Sequence, residues 1–437
     1  MPPDAAMMLF RSTRRPEPAL HFSEALRQGL AADGGLFIPQ CWPTLDWQSW
    51  SEDLSLASVA RQLLAPFAAG DVLAAQLPAL TTEAFNFPAP LVPVTSDGAL
   101  QVLQLYHGPT AAFKDFGARF LAAAFQRLLR PGDRTVKILV ATSGDTGGAV
   151  AAAFHRRAGL EVAVLFPDGK VSPLQQHQLT CWGDNVQSFS VDGSFDDCQR
   201  LVKQAFMDAE LTQRFALSSA NSINLGRLLP QAVYYAATSI ALWRRTQRKA
   251  NFIIPSGNLG NSVACVWARQ LGLPIGAIVL AHNANRTVPD FLDSGSWAPR
   301  ASVATLASAM DVGNPSNIER LMALYPDAAT MRRSLSACSV DDPAIAARIR
   351  SDFETYGQIW CPHTATAAEV YTRLSAALRV TGNWVIVCTA HAAKFAEIVE
   401  PLIGRKIDAP PVLQAILARP SRFARIGADL ADLREAL

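Results

Sequence analysis

The stretch "TVKILVATSGDTGGAVAAAFHRRAG", residues 135–159, decides the fold. Its first eight residues form an apolar, β-branched run that reads as a buried strand. A glycine turn follows. Residues 145–159 then read as a helix ending at Gly159. "LEVAVLF" (160–166) reads as the next strand. The unit recurs in "NVQSFSV" (185–191) with "SFDDCQRLVKQAF" (194–206), and in "NFIIP" (251–255) with "NSVACVWARQLG" and "IGAIVLAH" (275–282). "NWVIVCTAH" (383–391) opens a last one. Continuous apolar strands alternating with helices predict an α/β fold built on parallel sheets.

Upstream, the turn- and proline-rich stretches "DGGLFIPQ" (33–40) and "NFPAPLVPV" (86–94) bracket a mainly helical pattern that includes "LASVARQLLAPFA". Residues 1–95 therefore read as a small lead-in domain, and 96–437 as the main region. The segment Asn283 to Asn317 has little pattern, and a loop of that length is usually functional or mobile. The 437 residues are half hydrophobic, enough for large cores. Only 17% are charged and the net charge is +2, with no basic run, so nucleic-acid binding is not indicated. No apolar run approaches the ~18 residues of a membrane span. "AAMMLF" is too short for a secretory leader and meets "RSTRR" directly, so a cytoplasmic protein is expected. Seven scattered cysteines without CxxC indicate reduced thiols, and no His or Cys cluster has metal spacing.

Ligands of such sheets sit beyond the carboxyl ends of the strands. In "ATSGDTGGAV" (141–150), glycines allow close approach, while Ser143, Asp145 and Thr146 offer side chains at a helix start that favours anions. The same residues also suit plain helix capping, with Asp145 or Thr146 as the cap. "PSGNLGN" (255–261) could form a phosphate cradle through Gly257, Asn258, Leu259, Gly260 and Asn261, or simply a turn. It matches neither a Walker A loop nor GxGxxG. Thr389 in "CTAHAAKF" could face the cleft or merely close a strand. Lys114 in "HGPTAAFKDFGARFLAAAF" (107–125) lies between Phe113 and Phe116. It could snorkel. It could be a desolvated amine fit for a Schiff base. Pairing with the adjacent Asp115 is poorly supported, since neighbours on a helix do not face each other. Taken together, amine, phosphate cradle and strand-end hydroxyl are the set that pyridoxal phosphate requires.

"HGPTAAFKDFG" resembles the lysine segment of the threonine synthases. "ATSGDTGGA", "DGKVSPLQQHQLT", "DGSFDDCQ", "NSINLGRLLPQ", "PSGNLGN", "AMDVGNPSN" and "TAHAAKF" are similar to further segments of that family, in the same order. "STRRPEPALHFSEALRQGLAADGGLFIPQ" resembles its opening. The likeness runs from about Ser12 to Phe395, and the longer class fits best. It implies a fold type II pyridoxal-phosphate enzyme, tryptophan synthase β-like. Two lobes with parallel-rich sheets would follow a small N-terminal domain, the smaller lobe at about 114–220. The activity implied is that of a carbon–oxygen lyase acting on phosphates, the last step of threonine biosynthesis. O-phospho-L-homoserine and water would give L-threonine and phosphate by β,γ-elimination and replacement. Monomer or homodimer is expected, with no membrane or nucleic-acid partner.

The resemblance also implies roles. Lys114 would be catalytic and hold the cofactor as a Schiff base, with Phe113 and Phe116 as a dry pocket edge. Gly257 to Asn261 would bind the cofactor phosphate, Thr389 the pyridine nitrogen, and Asp145 would lie near the 3′ oxygen. Ser143 and Thr146 would grip the substrate carboxylate and Arg227 the substrate phosphate. Three positions depart from the family pattern: Arg15, His177 and Ala392. His177 matters if that position touches substrate phosphate, because histidine is only partly charged near neutrality. Rival readings are a threonine or serine dehydratase, a cysteine synthase, a silent phosphate-binding relative, and a cofactor-free solute-binding protein.

Overall fold

Strand propensity and parallel pairing organise the chain around two sheets. The computed structural model describes residues 7–15, 18–95, 98–142 and 144–437. A five-stranded, wholly parallel sheet runs in the order Ala424–Ile426, Val186–Val191, Leu160–Pro167, Val136–Ala141, Ala216–Ser219. Its register sets Ile138 beside Val162 on one side and Ser218 on the other. A six-stranded sheet runs Ser336–Ser339, Ile275–His282, Ala250–Pro255, Asn383–Cys388, Leu100–Gln104, Leu91–Pro93. Only its last pair is antiparallel. The proline-rich segment read as a turn thus supplies an edge strand, where a residue without an N–H is tolerated. Phe10–Ser12 and Phe37–Pro39 form a separate antiparallel pair near the N-terminus.

The helix Lys114–Leu128 is the packing centre. Its Phe116, Ala118, Phe120, Leu121, Ala122, Ala123 and Ala124 are all fully buried. A helix with so broad an apolar face belongs largely inside, and its Arg119, Gln126 and Arg127 lie at its partly exposed edge. It packs on Asp145–Phe154, Leu77–Ala84, Phe22–Gln28 and Leu225–Leu228. The Phe116 ring lies 4.6 Å from Phe87 and 5.1 Å from Tyr234. Phe120 lies 6.4 Å from Phe22. The N-terminal residues therefore share one continuous core with the rest.

Asn283 to Asn317 is not a bare loop. It holds the helix Thr287–Ser294 and a 3-10 turn at Ser308–Met310. Side chains order the remainder. Asp311 Oδ1 accepts from Asn283 Nδ2 at 2.7 Å and from Thr305 Oγ1 at 2.7 Å. Side-chain bonding of this kind leaves no hydrophobic period to read. At the C-terminal end, Pro411–Leu417 packs on Pro173–Thr180, and Leu430–Ala436 packs on Phe195–Met207. Among the described residues, no helix is long and apolar enough to cross a membrane.

Gly117 marks how closely the central helix meets its neighbour. A Cβ there would overlap the Arg227 carbonyl oxygen. Replacing a helical glycine by alanine ordinarily gains about 1 kcal/mol. Here Gly117→Ala is expected to reverse that sign and cost about 1–3 kcal/mol by overpacking. Urea unfolding checks it, and a stabilised variant would contradict this packing.

Candidate active site

Three strands end at one cleft. Lys114 is the first residue of its helix and is partly exposed to that cleft. The loop before it is pinned by the end of Asn383–Cys388. Phe113 N–H donates to Thr389 O at 2.8 Å, and His391 N–H donates to Ala111 O at 3.1 Å. Backbone bonds thus bring Lys114 and Thr389 to the same place. Burial pulls the Lys114 ammonium down to about 8; Asp145 opposes this, while Lys394 and Arg227 add to it. Asp115 is committed elsewhere, accepting from Thr110 N–H at 2.8 Å and Thr110 Oγ1 at 2.7 Å. Phe113 lines the cleft, whereas Phe116 is turned into the core, a correction to the expected pocket edge.

The strand Ala250–Pro255 delivers the second wall, and Gly260–Gln270 begins just after it. Gly257, Asn258, Leu259, Gly260 and Asn261 all line the cleft. A Cβ on Gly257 would come 2.7 Å from Met310 Cα, so the loop lies against the 308–310 turn. Leu259 takes a left-handed φ of 63°. Asn258 locks the loop in shape: its Nδ2 donates to Ser222 Oγ at 2.7 Å and its Oδ1 accepts from Ser316 N–H at 2.6 Å. Asn317 Nδ2 donates to Asn258 O at 2.9 Å. Asn261 Oδ1 accepts from Tyr234 and Tyr235 hydroxyls at 2.5 and 2.8 Å.

Asp145 and Thr146 open the helix Asp145–Phe154 and also line the cleft. Neither caps it. Thr142 Oγ1 does so instead, accepting from Gly147 N–H at 2.9 Å. Ser143 lies outside the described residues. Arg227 is buried in Leu225–Leu228, lines the cleft and donates through Nη1 to Ala220 O. Burial pulls its guanidinium down to about 10, which leaves it charged at neutral pH. His177 does not line the cleft; its Nε2 meets Ile416 O at 3.1 Å. Ala392 is buried and begins the 3-10 turn Ala392–Phe395.

Two residues escaped the sequence reading. Lys394 is fully buried, with Nζ 2.8 Å from Asp145 Oδ1 and 2.8 Å from Thr110 O. Burial alone would raise the Asp145 carboxyl, but Lys394 and Lys114 hold it well below the usual range. A lysine inside apolar "AAKFAEIV" was the available signal. His363 lines the cleft and accepts from Ala309 N–H through Nε2 at 3.0 Å, so its proton sits on Nδ1. Burial pulls its imidazolium down to about 4, keeping the ring neutral.

Comparison with known proteins follows the same lines. Residues 86–390 match the model for pyridoxal-phosphate dependent enzymes. Residues 9–85 match the threonine synthase N terminus, and 364–437 the threonine synthase C-terminal model. Threonine synthase of Haemophilus influenzae is 40% identical over 424 residues, covering 97% of this chain and 98% of that one. That of Escherichia coli is 40% identical over 418 residues, covering 95% and 96%. A crystal structure of PLP-bound threonine synthase from Brucella melitensis superposes with a TM-score of 0.89 at 34% identity, covering 98% of each chain. Maize serine racemase, at 16% identity and a TM-score of 0.52, shares the fold alone. With three models in register along its length and relatives matched nearly end to end, the chain belongs to the threonine synthase family of pyridoxal-phosphate-dependent enzymes.

Proposed function

We propose that this chain is a threonine synthase, converting O-phospho-L-homoserine and water to L-threonine and phosphate with pyridoxal 5′-phosphate as cofactor. The observation that carries the reading is the convergence of Lys114, the 257–261 loop and Thr389 on one cleft. The residues present fit the cofactor and a phosphorylated substrate. Arg227 Nε, Asn261 Nδ2 and His363 Nδ1 are buried at this cleft without an acceptor among the described residues. A cleft with donors in excess suits anionic ligands. When bound, the cofactor supplies an aldehyde for the Lys114 amine and a conjugated ring that takes up negative charge.

The chain's own groups do the rest. Residues 257–261 would bind the cofactor phosphate with backbone N–H groups at a helix start. Thr389 would meet the pyridine nitrogen and Asp145 would stand by the 3′ oxygen. Thr146, with Ser143, would hold the substrate carboxylate. Arg227 would take the substrate phosphate, since its fork matches phosphate geometry. Lys114, once free, is the base for the α-proton, because a desolvated amine near pH 8 both accepts and returns protons. The same amine would serve as a shuttle for further transfers at Cβ and Cγ. We read the chain as a lead-in domain of residues 1–95 followed by a two-lobed catalytic region, 96–437. The smaller lobe spans about 114–220 and is joined by the C-terminal strand. A monomer or homodimer acting in the cytoplasm is part of the same proposal.

Incubation of the loaded protein with O-phospho-L-homoserine is expected to release threonine and phosphate in equal amounts. Phosphate without threonine would reject the reading in favour of a diverted elimination. Lys114→Ala should abolish the visible absorption of lysine-bound cofactor and lower turnover about 10³-fold or more. Full activity in that variant would remove Lys114 from the mechanism. Arg227→Lys should raise KM for the phosphorylated substrate about tenfold, with cofactor binding nearly unchanged, because a point charge replaces a two-pronged donor. An unchanged KM would place the substrate phosphate elsewhere.

A further inference from the structure

Lys394 has no exposed surface and does not line the cleft, yet its ammonium ties together the elements that do. It follows Thr389 on the turn Ala392–Phe395. Its Nζ donates to Thr110 O, in the loop that leads to Lys114, and pairs with Asp145 at the start of Asp145–Phe154, each at 2.8 Å. Gln178 Nε2 reaches the same Thr110 oxygen at 3.2 Å, and Gln175 Nε2 reaches Asp145 Oδ1 at 3.2 Å. Asp145 lines the cleft together with Lys114. Without Lys394, its carboxylate would be a buried anion still drawn to the Lys114 amine.

We propose that Lys394 is a positioning residue: it engages Asp145 from behind the cleft, so that the carboxylate stays ionised and oriented without capturing the Lys114 amine. This inference rests on the reading of Lys114 as the working amine. The charged and titratable groups facing the trio are Arg227, His363, His391, Asp115 and Cys361. Arg227 keeps its charge at neutral pH. Burial holds both histidines below their ordinary value and both Asp115 and Cys361 above theirs. Lys114, pulled down to about 8, changes charge just above neutral pH. Lys394 pushes its proton off and Asp145 draws it on, so the two influences offset.

The test uses the full chain freed of cofactor, with acetylation of Lys114 by limiting acetic anhydride followed against pH by peptide mass spectrometry. Lys394→Met should raise the midpoint by about one pH unit, because Asp145 then pairs with Lys114. Asp145→Asn should lower it below the parent value, and the double variant Asp145→Asn with Lys394→Met should return it close to the parent. A merely structural role would not produce opposite shifts with mutual rescue. Equal midpoints in folded Lys394→Met and parent protein would overturn the proposal. If Lys394→Met does not fold, an unchanged or raised midpoint in Asp145→Asn would overturn it by itself. The readout contains no substrate, so it can fail while threonine formation succeeds, or the reverse.

Discussion

Everything at the cleft depends on mounting one amine where water is scarce. Removing a lysine from water is costly, and a flexible loop could not hold it there. The helix Lys114–Leu128 can, because its buried phenylalanines and alanines pack on four further helices. Rotating or sliding that helix would unpack Phe116 from Phe87 and Tyr234, and Phe120 from Phe22. The position of the amine is thus fixed by the hydrophobic core rather than by its own contacts. The N-terminal residues supply part of that packing through Phe22–Gln28 and Leu77–Ala84.

Much of this was legible in sequence because the signals are local. The strands Val136–Ala141, Leu160–Pro167 and Ile275–His282 announce themselves as β-branched runs, and glycine turns mark where each meets its helix. The convergence of Lys114, Gly257 and Thr389 follows from the rule that ligands gather at strand ends. What escaped was held by contacts distant in sequence. Nothing near Asp145 announces Lys394, and nothing near Phe116 says that it faces Tyr234 rather than the cleft. The cap on Asp145–Phe154 comes from Thr142, set back from the usual position, so side-chain type alone misassigned it. Asn283 to Asn317 defeats periodicity for another reason, since amide and hydroxyl side chains around Asp311 shape it.

The two polar anchors of the site contrast in kind. The 257–261 loop is held by neutral hydrogen bonds among Asn258, Ser222, Ser316 and Asn317, each modest and together directional. The Lys394–Asp145 pair is ionic and buried, with Asp145 reaching the cleft. Such a pair repays its desolvation only when the remaining donors and acceptors are met. Thr110 O accepts from Lys394 and Gln175 Nε2 donates to Asp145, which offsets part of that cost here. The pair also joins a residue of the turn after Asn383–Cys388 to one of the turn after Val136–Ala141. Each of the two sheets thus contributes one partner.

The strand Ala424–Ile426 closes the five-stranded sheet against Val186–Val191, a neighbour made much earlier during synthesis. On the ribosome, the growing sheet must present Val186–Val191 as an open edge until residues 424–426 have emerged. An unpaired edge is a template for pairing with other chains. Helix Leu430–Ala436 then seals the arrangement, with Arg434 2.5 Å from Asp208. Completion of this sheet therefore waits for residues 424–426, and a nascent chain stalled before residue 424 would keep that edge open.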